Sequence, residues 1–534
     1  MYFTFSVYIG ILLVILFLVM LAGRLKVSYP IVLVIGGLAL SFIPGLPQIS
    51  IDPELIFLIF LPPLLFEAAW HTSWKELWRW RRIVSSFAFL IVILTSGVIA
   101  IVSSNLIPGF TLALGFLLGG IISPPDAVAA TTVLKDIKVP RSLVNILEGE
   151  SLLNDASSLI VFRFALLAVT TGKFVFHEAA TSFILVIVMG ILIGVAVGML
   201  FYAILRWLPT NASMDTVLTF TSPYVMYLAA ESFHFSGVLA VVAGGLFMSN
   251  KSHHFLSHLS RIRGVNVWST IGFALNGIIF LLIGLELPVI VRNFGEVSLW
   301  RAINYGLIIT AVVIVMRMLC TLGASLFTRV VSRFITTADN NPGWKLPLVF
   351  GWAGMRGVVS LASALSIPLM LDKHHAFPMR DLILFITFMV ILITLVFQGL
   401  TLPLVVKWVN LGEDKFLMPE HEQEAIMRKK MAQYALDLLN NKYSDEVEGN
   451  DLLRSLKARL EGDVTFVNNY IASEEGNQRV THKIERYRII LTDLIEEQRR
   501  VLRKMNRKDK VDEEMIRKHL AQLDLEEEYL TQRF

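Results

Sequence analysis

A single cysteine, Cys320, occurs in the 534 residues. No disulfide can therefore form within the chain, and no cysteine pair is available for metal or redox chemistry. Charge is also scarce: Asp, Glu, Lys and Arg make up 17% of the sequence against 55% hydrophobic residues. That balance describes an all-α polytopic membrane protein rather than a water-soluble domain. The formal net charge of +4 is too small to argue for nucleic acid as a partner, and basic loops on one membrane face account for it. A removable signal peptide is not expected either. The apolar run from Tyr2 to Gly23 has no small-residue cleavage site before the next hydrophobic segment, and reads as a first span.

Apolar runs of spanning length number roughly thirteen and fill residues 1–410, the expected transmembrane domain. The fifth is expected from Thr111 to Leu134, the sixth from Ser142 to Thr171 and the twelfth from Leu346 to Leu371. Alternate connections are basic, with Arg24 and Lys26, then Lys75, Arg79, Arg81 and Arg82, then Lys135, Lys138 and Arg141, and so on to Lys345. The positive-inside rule places these in the cytoplasm, hence the N-terminus outside and the C-terminal region inside a cell (plasma) membrane. Residues 411–534 carry charged runs such as Arg428-Lys429-Lys430 and read as a cytoplasmic helical tail. Within it Ile484, Tyr487, Leu491, Leu494, Gln498, Val501 and Met505 follow 3-4 spacing, as do Ile516, Leu520, Leu523, Glu527 and Leu530. Two amphipathic helices result, packing on each other or on a twin.

The stretch from Gly119 to Asp155 organises the rest. It holds Ser123-Pro124-Pro125-Asp126 and Glu148-Gly149-Glu150-Ser151-Leu152-Leu153-Asn154-Asp155 inside apolar segments, where each carboxylate costs ~2.5 to 3.5 kcal/mol on insertion scales. Such residues line a polar cavity or have a partner. If six spans form one unit and the last six another, the second enters the membrane from the opposite side, the parity of an inverted repeat. The fifth span of each half is interrupted, by Ser123-Pro124-Pro125 and by Gly351-Trp352-Ala353-Gly354-Met355-Arg356-Gly357. Both can unwind near mid-membrane and expose half-helix ends.

Asp155, with Ser151 one turn before it and Asn154 beside it, presents oxygen ligands suited to a singly charged hard cation. Asp126 follows the break, where it can cap the second half-helix and also touch an ion. Ser123 at the same break and Glu67, after Leu61-Pro62-Pro63, complete the candidate ion ligands; Glu67 reads equally as an interfacial carboxylate. Glu150 needs a partner, and Arg317, too deep to snorkel, is the candidate for a structural ion pair. Arg356 is expected to neutralise carbonyl ends at the second break. Arg163 has no assignable partner. His254 and His258 have the spacing of a metal pair but no acidic third ligand nearby, so no metal beyond the transported cation is expected.

Together, Gly149 through Asp155, Pro125-Asp126, Leu61-Pro62-Pro63 with Phe66-Glu67, and Gly354-Met355-Arg356-Gly357 with Ser360-Leu361-Ala362 resemble the sodium/proton exchangers. The closer branch is the cation:proton antiporter-1 family in its bacterial form. The resemblance implies a homodimer in which a core bundle with two crossed broken helices moves against a dimerisation domain. It implies that Asp155 carries Na+ or H+, helped by Ser151, Asp126 and Glu67, with Glu150 and Arg317 as the structural pair. It implies no cofactor and no enzymatic step, with membrane lipids as surroundings. Where many members have Asp followed by Pro, this chain has Asp126-Ala127. K+ or Li+ in place of Na+ remains open, and a passive cation channel is a further alternative. An intramembrane aspartyl protease would need a Gly-x-Gly-Asp turn, which is absent.

Overall fold

A computed structural model describes residues 2–43, 53–135, 137, 139–172, 176–292, 298–331, 343–371, 375–411, 420–472, 477–505 and 512–533. The chain divides into two compact units, Met1–Glu413 and Asp414–Phe534. Both are helical, with no strand among the described residues.

The first unit contains α1 (Tyr2–Leu25), α2 (Tyr29–Leu40), α3 (Pro53–His71) and α4 (Trp74–Leu106). Then come α5 in two halves (Leu112–Ile122 and Ala127–Leu134), α6 (Arg141–Thr171), α7 (Phe176–Trp207), α8 (Ala212–Ser232) and α9 (Gly237–Phe255). After these lie α10 (His258–Arg292), α11 (Leu299–Val331), α12 in two halves (Lys345–Trp352 and Val358–Leu365) and α13 (Arg380–Val409). Among the described residues seven helices are long and apolar enough to cross a membrane, which makes this an α-helical polytopic membrane protein.

Local chemistry sets the ends. The hydroxyls of Thr111 and Ser236 accept from the N–H groups of Leu114 and Leu239, both at 3.2 Å, satisfying donors that a helix start leaves free. Gly172, at φ +67°, ends α6 in the left-handed conformation, which a side chain would disfavour. Two expectations need correcting. The basic stretch Lys75 to Arg82 is not a loop but the first turns of α4, because Ser73 caps it through Glu76 N–H at 3.4 Å and its Trp80 and Val84 are buried. The twelfth segment also stops early, at Leu365 rather than Leu371.

Helices approach closely where residues are small. Gly37 of α2 and Gly284 of α10 each face the other helix's backbone, and a Cβ on either would overlap it. The two halves of α5 sit in different apolar clusters: Leu117, Leu118 and Ile121 in one, Ala129, Ala130 and Leu134 in the other. Each half is thus anchored separately, and the break between them is held from both sides. Residues 86–91 of α4 and 394–398 of α13 are π-helical, and such turns release a backbone group from the ladder. The carbonyl of Ala88 uses that freedom to accept from Ser157 of α6.

The second unit contains α14 (Glu420–Lys442), α15 (Ser444–Gly449), α16 (Asp451–Ala472), α17 (Asn477–Met505) and α18 (Glu513–Arg533). α17 packs on α18, and Arg499 reaches Asp524 at 2.6 Å and Glu527 at 2.5 Å. Among the described side chains of α17 the buried one is Ile495, whereas Leu494 and Val501 of the expected stripe are exposed. The seam is rotated because Arg499, one turn on, must face the acidic side of α18. The side chains of Ile484 and Leu530 lie outside the described residues.

Candidate functional site

The site is assembled where the two breaks meet. Proline at 124 and 125 removes two backbone donors, so the helix stops at Ile122 and restarts at Ala127. At the second break, Gly354 and Gly357 flank Met355-Arg356. The backbones then pair, the N–H of Asp126 donating to the carbonyl of Met355 at 2.7 Å.

Four half-helix ends therefore converge, and two side chains answer them. The N-terminal ends of the second halves, with their positive dipole ends, face Asp126. Its Oδ1 accepts from Val128 N–H at 2.8 Å, and its other oxygen lies against Gly357, where a Cβ would overlap it. Carbonyl ends face Arg356, which is 1% exposed. Its Nε donates to the carbonyl of Ile122 at 3.0 Å and Nη2 to that of Ser123 at 3.4 Å, while Nη1 donates to Gly354. The N–H of Arg356 donates to Thr394 Oγ at 3.1 Å, from the π-helical turn of α13. Arg356 thus neutralises carbonyls at both breaks, not only its own.

A cavity of about 340 Å³ opens beside this junction. Its walls include Glu67 of α3, Asp126 at the break of α5, and Ser151 and Asp155 of α6, brought together from three separate parts of the sequence. Asp155 is 8% exposed, and among the described residues no hydrogen bond to its carboxylate is formed. Ser151 Oγ accepts from Ala127 N–H at 3.1 Å, so it supports the restart of α5 as well as lining the wall. Glu67 packs against Gly272 of α10, which places it in the cavity wall.

Two expected ligands are not at this wall. Asn154 is fully buried behind it, its Nδ2 donating to the carbonyl of Pro125 at 3.0 Å; the amide ties α6 to the break. Ser123 Oγ accepts from Ser96 of α4 at 3.1 Å, turned away from the cavity by the bend that the prolines impose. Several lining residues had no role assigned from the sequence: His71, Thr131, Ser269 and Asn276, and also Glu148, which was noted only as part of the acidic stretch. Helical spacing could have found some of them. His71 is one turn beyond Glu67, and Glu148 is two turns before Asp155 on the same face of α6.

Glu150 and Arg317 form a bidentate pair, with Nη2 to Oε2 at 2.5 Å, and are 1% and 3% exposed. The guanidinium lies 5.4 Å from the ring of Phe87 and 4.8 Å from that of Phe350, so its faces meet π systems while its edge meets the carboxylate. Arg163 does have a partner: Nη2 lies 2.6 Å from Oε1 of Glu231 on α8. This pair borders a second cavity, about 260 Å³, lined also by Leu159. Ser151, Asp155, Leu159 and Arg163 are successive four-residue steps along one face of α6, the first two in one cavity and the last two in the other. His254 and His258 belong to no metal-holding cluster among the described residues.

Interrupted helices joined beside a carboxylate-lined cavity define the class of membrane proteins that move small ions. The family described as "Sodium/hydrogen exchanger, transmembrane" matches residues 11–408, and the chain belongs to it. It is 36% identical over 382 residues to a "Sodium, potassium, lithium and rubidium/H(+) antiporter" of Bacillus subtilis, covering 69% of this chain and 56% of that one. With the "Low-affinity Na(+)/H(+) antiporter NhaS1" of Synechocystis it shares 35% identity over 399 residues, 73% and 71% of the two chains. The sodium proton antiporter MjNhaP1 of Methanocaldococcus jannaschii has the same fold, with a TM-score of 0.61 at 18% identity over 77% of this chain and 99% of that one. Family membership makes the chain a cation/proton exchanger of the membrane, not an enzyme.

Proposed function

We propose that the chain exchanges Na+ for H+ across the plasma membrane by alternating access, with Asp155 holding either the cation or the proton. The observation that carries this reading is the cavity at the junction of the two broken helices, where Asp155 is buried without a fixed partner, while Glu150 is paired with Arg317 and Asp126 uses one oxygen to cap the second half of α5 and keeps the other for the site. A carboxylate with no partner is free to take either ion, and binding one excludes the other. Ser151, Asp126 and Glu67 stand beside it as further oxygen ligands; Asn154 and Ser123 serve the break itself.

In this reading the chain crosses the membrane thirteen times, the six helices from α1 and the six from α8 form inverted repeats around α7, and two copies make a homodimer. The basic connections put the N-terminus outside and the tail in the cytoplasm. On that topology the His71 and Thr131 end of the cavity faces inward, and the Arg163–Glu231 cavity lies on the outward side. One face of α6 then serves both sides in turn.

One carboxylate exchanging one proton for one monovalent cation moves no net charge. Asn154 supports this stoichiometry, since it cannot titrate and its amide is used at the break. The Bacillus relative's named ions, sodium, potassium, lithium and rubidium, favour K+ as a second substrate, and Li+ with it. Proton flux in everted vesicles driven in turn by Li+, Na+ and K+ tests the assignment. Flux with at least one of these ions is expected, and none with any of them would refute exchange.

A further inference from the structure

An apolar cavity of about 370 Å³ lies between α4 on one side and α7 and α9 on the other, and shares no lining residue with the carboxylate cavity. Its walls run from Trp74 to Ser85 on α4 and from Leu239 to Asn250 on α9. At about 1.5 Å per residue each wall is about 16 Å long, close to half of the ~30 Å hydrocarbon core. One leaflet's acyl chain has that reach.

The two ends of this cavity differ. Toward Leu239 and Leu153 the lining is aliphatic apart from Ser85. The other end carries Asn250, Trp74, Trp78 and Arg81. The two indoles are stacked at 6.0 Å and both are exposed, the arrangement of aromatic residues at headgroup level. Arg81 lies 4.7 Å over the ring of Trp78 and donates to its carbonyl at 2.7 Å. Among the described residues no carboxylate pairs with Arg81, and the Trp78 carbonyl takes only one of its five N–H donors.

We infer that this cavity seats one anionic glycerophospholipid, an acyl chain lying between α4 and α9 and the phosphate resting on Arg81. Length, apolar lining and a cation at one end together match that molecule, and the charge favours an anionic over a zwitterionic headgroup. Leu153, in the wall, directly precedes Asn154 and Asp155 on α6. The lipid therefore packs on the helix that carries the site, although its binding does not depend on the exchange reading.

The test uses the full chain, delipidated in detergent, and titrates dioleoyl phosphatidylglycerol, dioleoyl phosphatidylcholine and glycerol phosphate, with native mass spectrometry and the thermal midpoint as readouts. The parent is expected to hold one phosphatidylglycerol more tightly than phosphatidylcholine, and glycerol phosphate not at all. Arg81→Gln should weaken phosphatidylglycerol about fivefold, the equivalent of ~1 kcal/mol, and weaken phosphatidylcholine less, so that the preference between the two lipids shrinks. Ala243→Phe, or Ala243→Leu if the larger side chain prevents folding, should fill the cavity and weaken both lipids. Equal binding of the two lipids by the parent, or parent-level phosphatidylglycerol binding in the filled variant, overturns the inference. A change of oligomeric mass in the filled variant also overturns it, because a second copy would then be the occupant.

Discussion

At the level of single residues, burial without a partner and burial with one lead to opposite expectations. Asp155 is buried with no hydrogen bond to its carboxylate among the described residues, so Asp155→Asn strands no partner and removes only the alternating charge. The variant should fold as the parent does and show no cation-driven proton flux in everted vesicles; residual flux at the parent's rate would reassign the carrier. Glu150 and Arg317 are the reverse case. Each is buried against the other, and removing one leaves a charge uncompensated at a cost of ~3 to 5 kcal/mol. Glu150→Gln and Arg317→Gln should each lower the detergent thermal midpoint and the yield of folded protein. Arg163 and Glu231 are 43% and 26% exposed, and an exposed pair contributes only ~0.2 to 1 kcal/mol. Arg163→Gln should leave the midpoint almost unchanged, and a loss as large as that of Arg317→Gln would show that the pair is buried in the working protein.

Among the elements, the two broken helices matter more than any long one. Their ends carry partial charges that lipid cannot solvate, and the chain answers the positive ends with Asp126 and the carbonyl ends with Arg356. That division makes Gly357 sensitive, since a Cβ there overlaps the Asp126 carboxylate. Gly357→Ala should destabilise by about 1 to 3 kcal/mol, the usual cost of overpacking, and should depress flux at the same time. Gly323→Ala on α11, where a Cβ meets nothing within 4 Å, provides the neutral comparison. A Gly357→Ala protein with the stability and flux of Gly323→Ala would mean that the two breaks do not meet as described.

For the whole molecule, the membrane unit and the tail are separate compact units, and every residue of the carboxylate cavity belongs to the first. A chain ending at Met418 should therefore still exchange cations for protons, with any change confined to regulation; a membrane-inserted truncation without flux would place the tail in the cycle. Charge balance is also a property of the whole. In liposomes with opposed pH and sodium gradients, the null point should be the same with and without an imposed membrane potential. A null point that moves with voltage would show that a second group titrates, and Asp126 would be the first to test.

Composition, spacing and motif made the membrane class, the two breaks, the Glu150–Arg317 pair and the group Glu67, Asp126, Ser151 and Asp155 readable from the sequence. The reason is energetic: charge and helix-breaking residues are so costly in hydrocarbon that they stand out against an apolar background without any knowledge of contacts. The partner of Arg163 was not readable, because Glu231 lies on another helix 68 residues on and only packing brings α8 beside α6. The same holds for Asn154 and Ser123. Both lie within one residue or one turn of true lining groups, but a helix turns 100° per residue, and its rotation about its own axis is decided by the neighbours it packs against. Tertiary structure alone turned Asn154 toward Pro125, brought Arg356 to the carbonyls of the other break, and left an apolar cavity between α4 and α9, since each depends on how separate helices are placed in space.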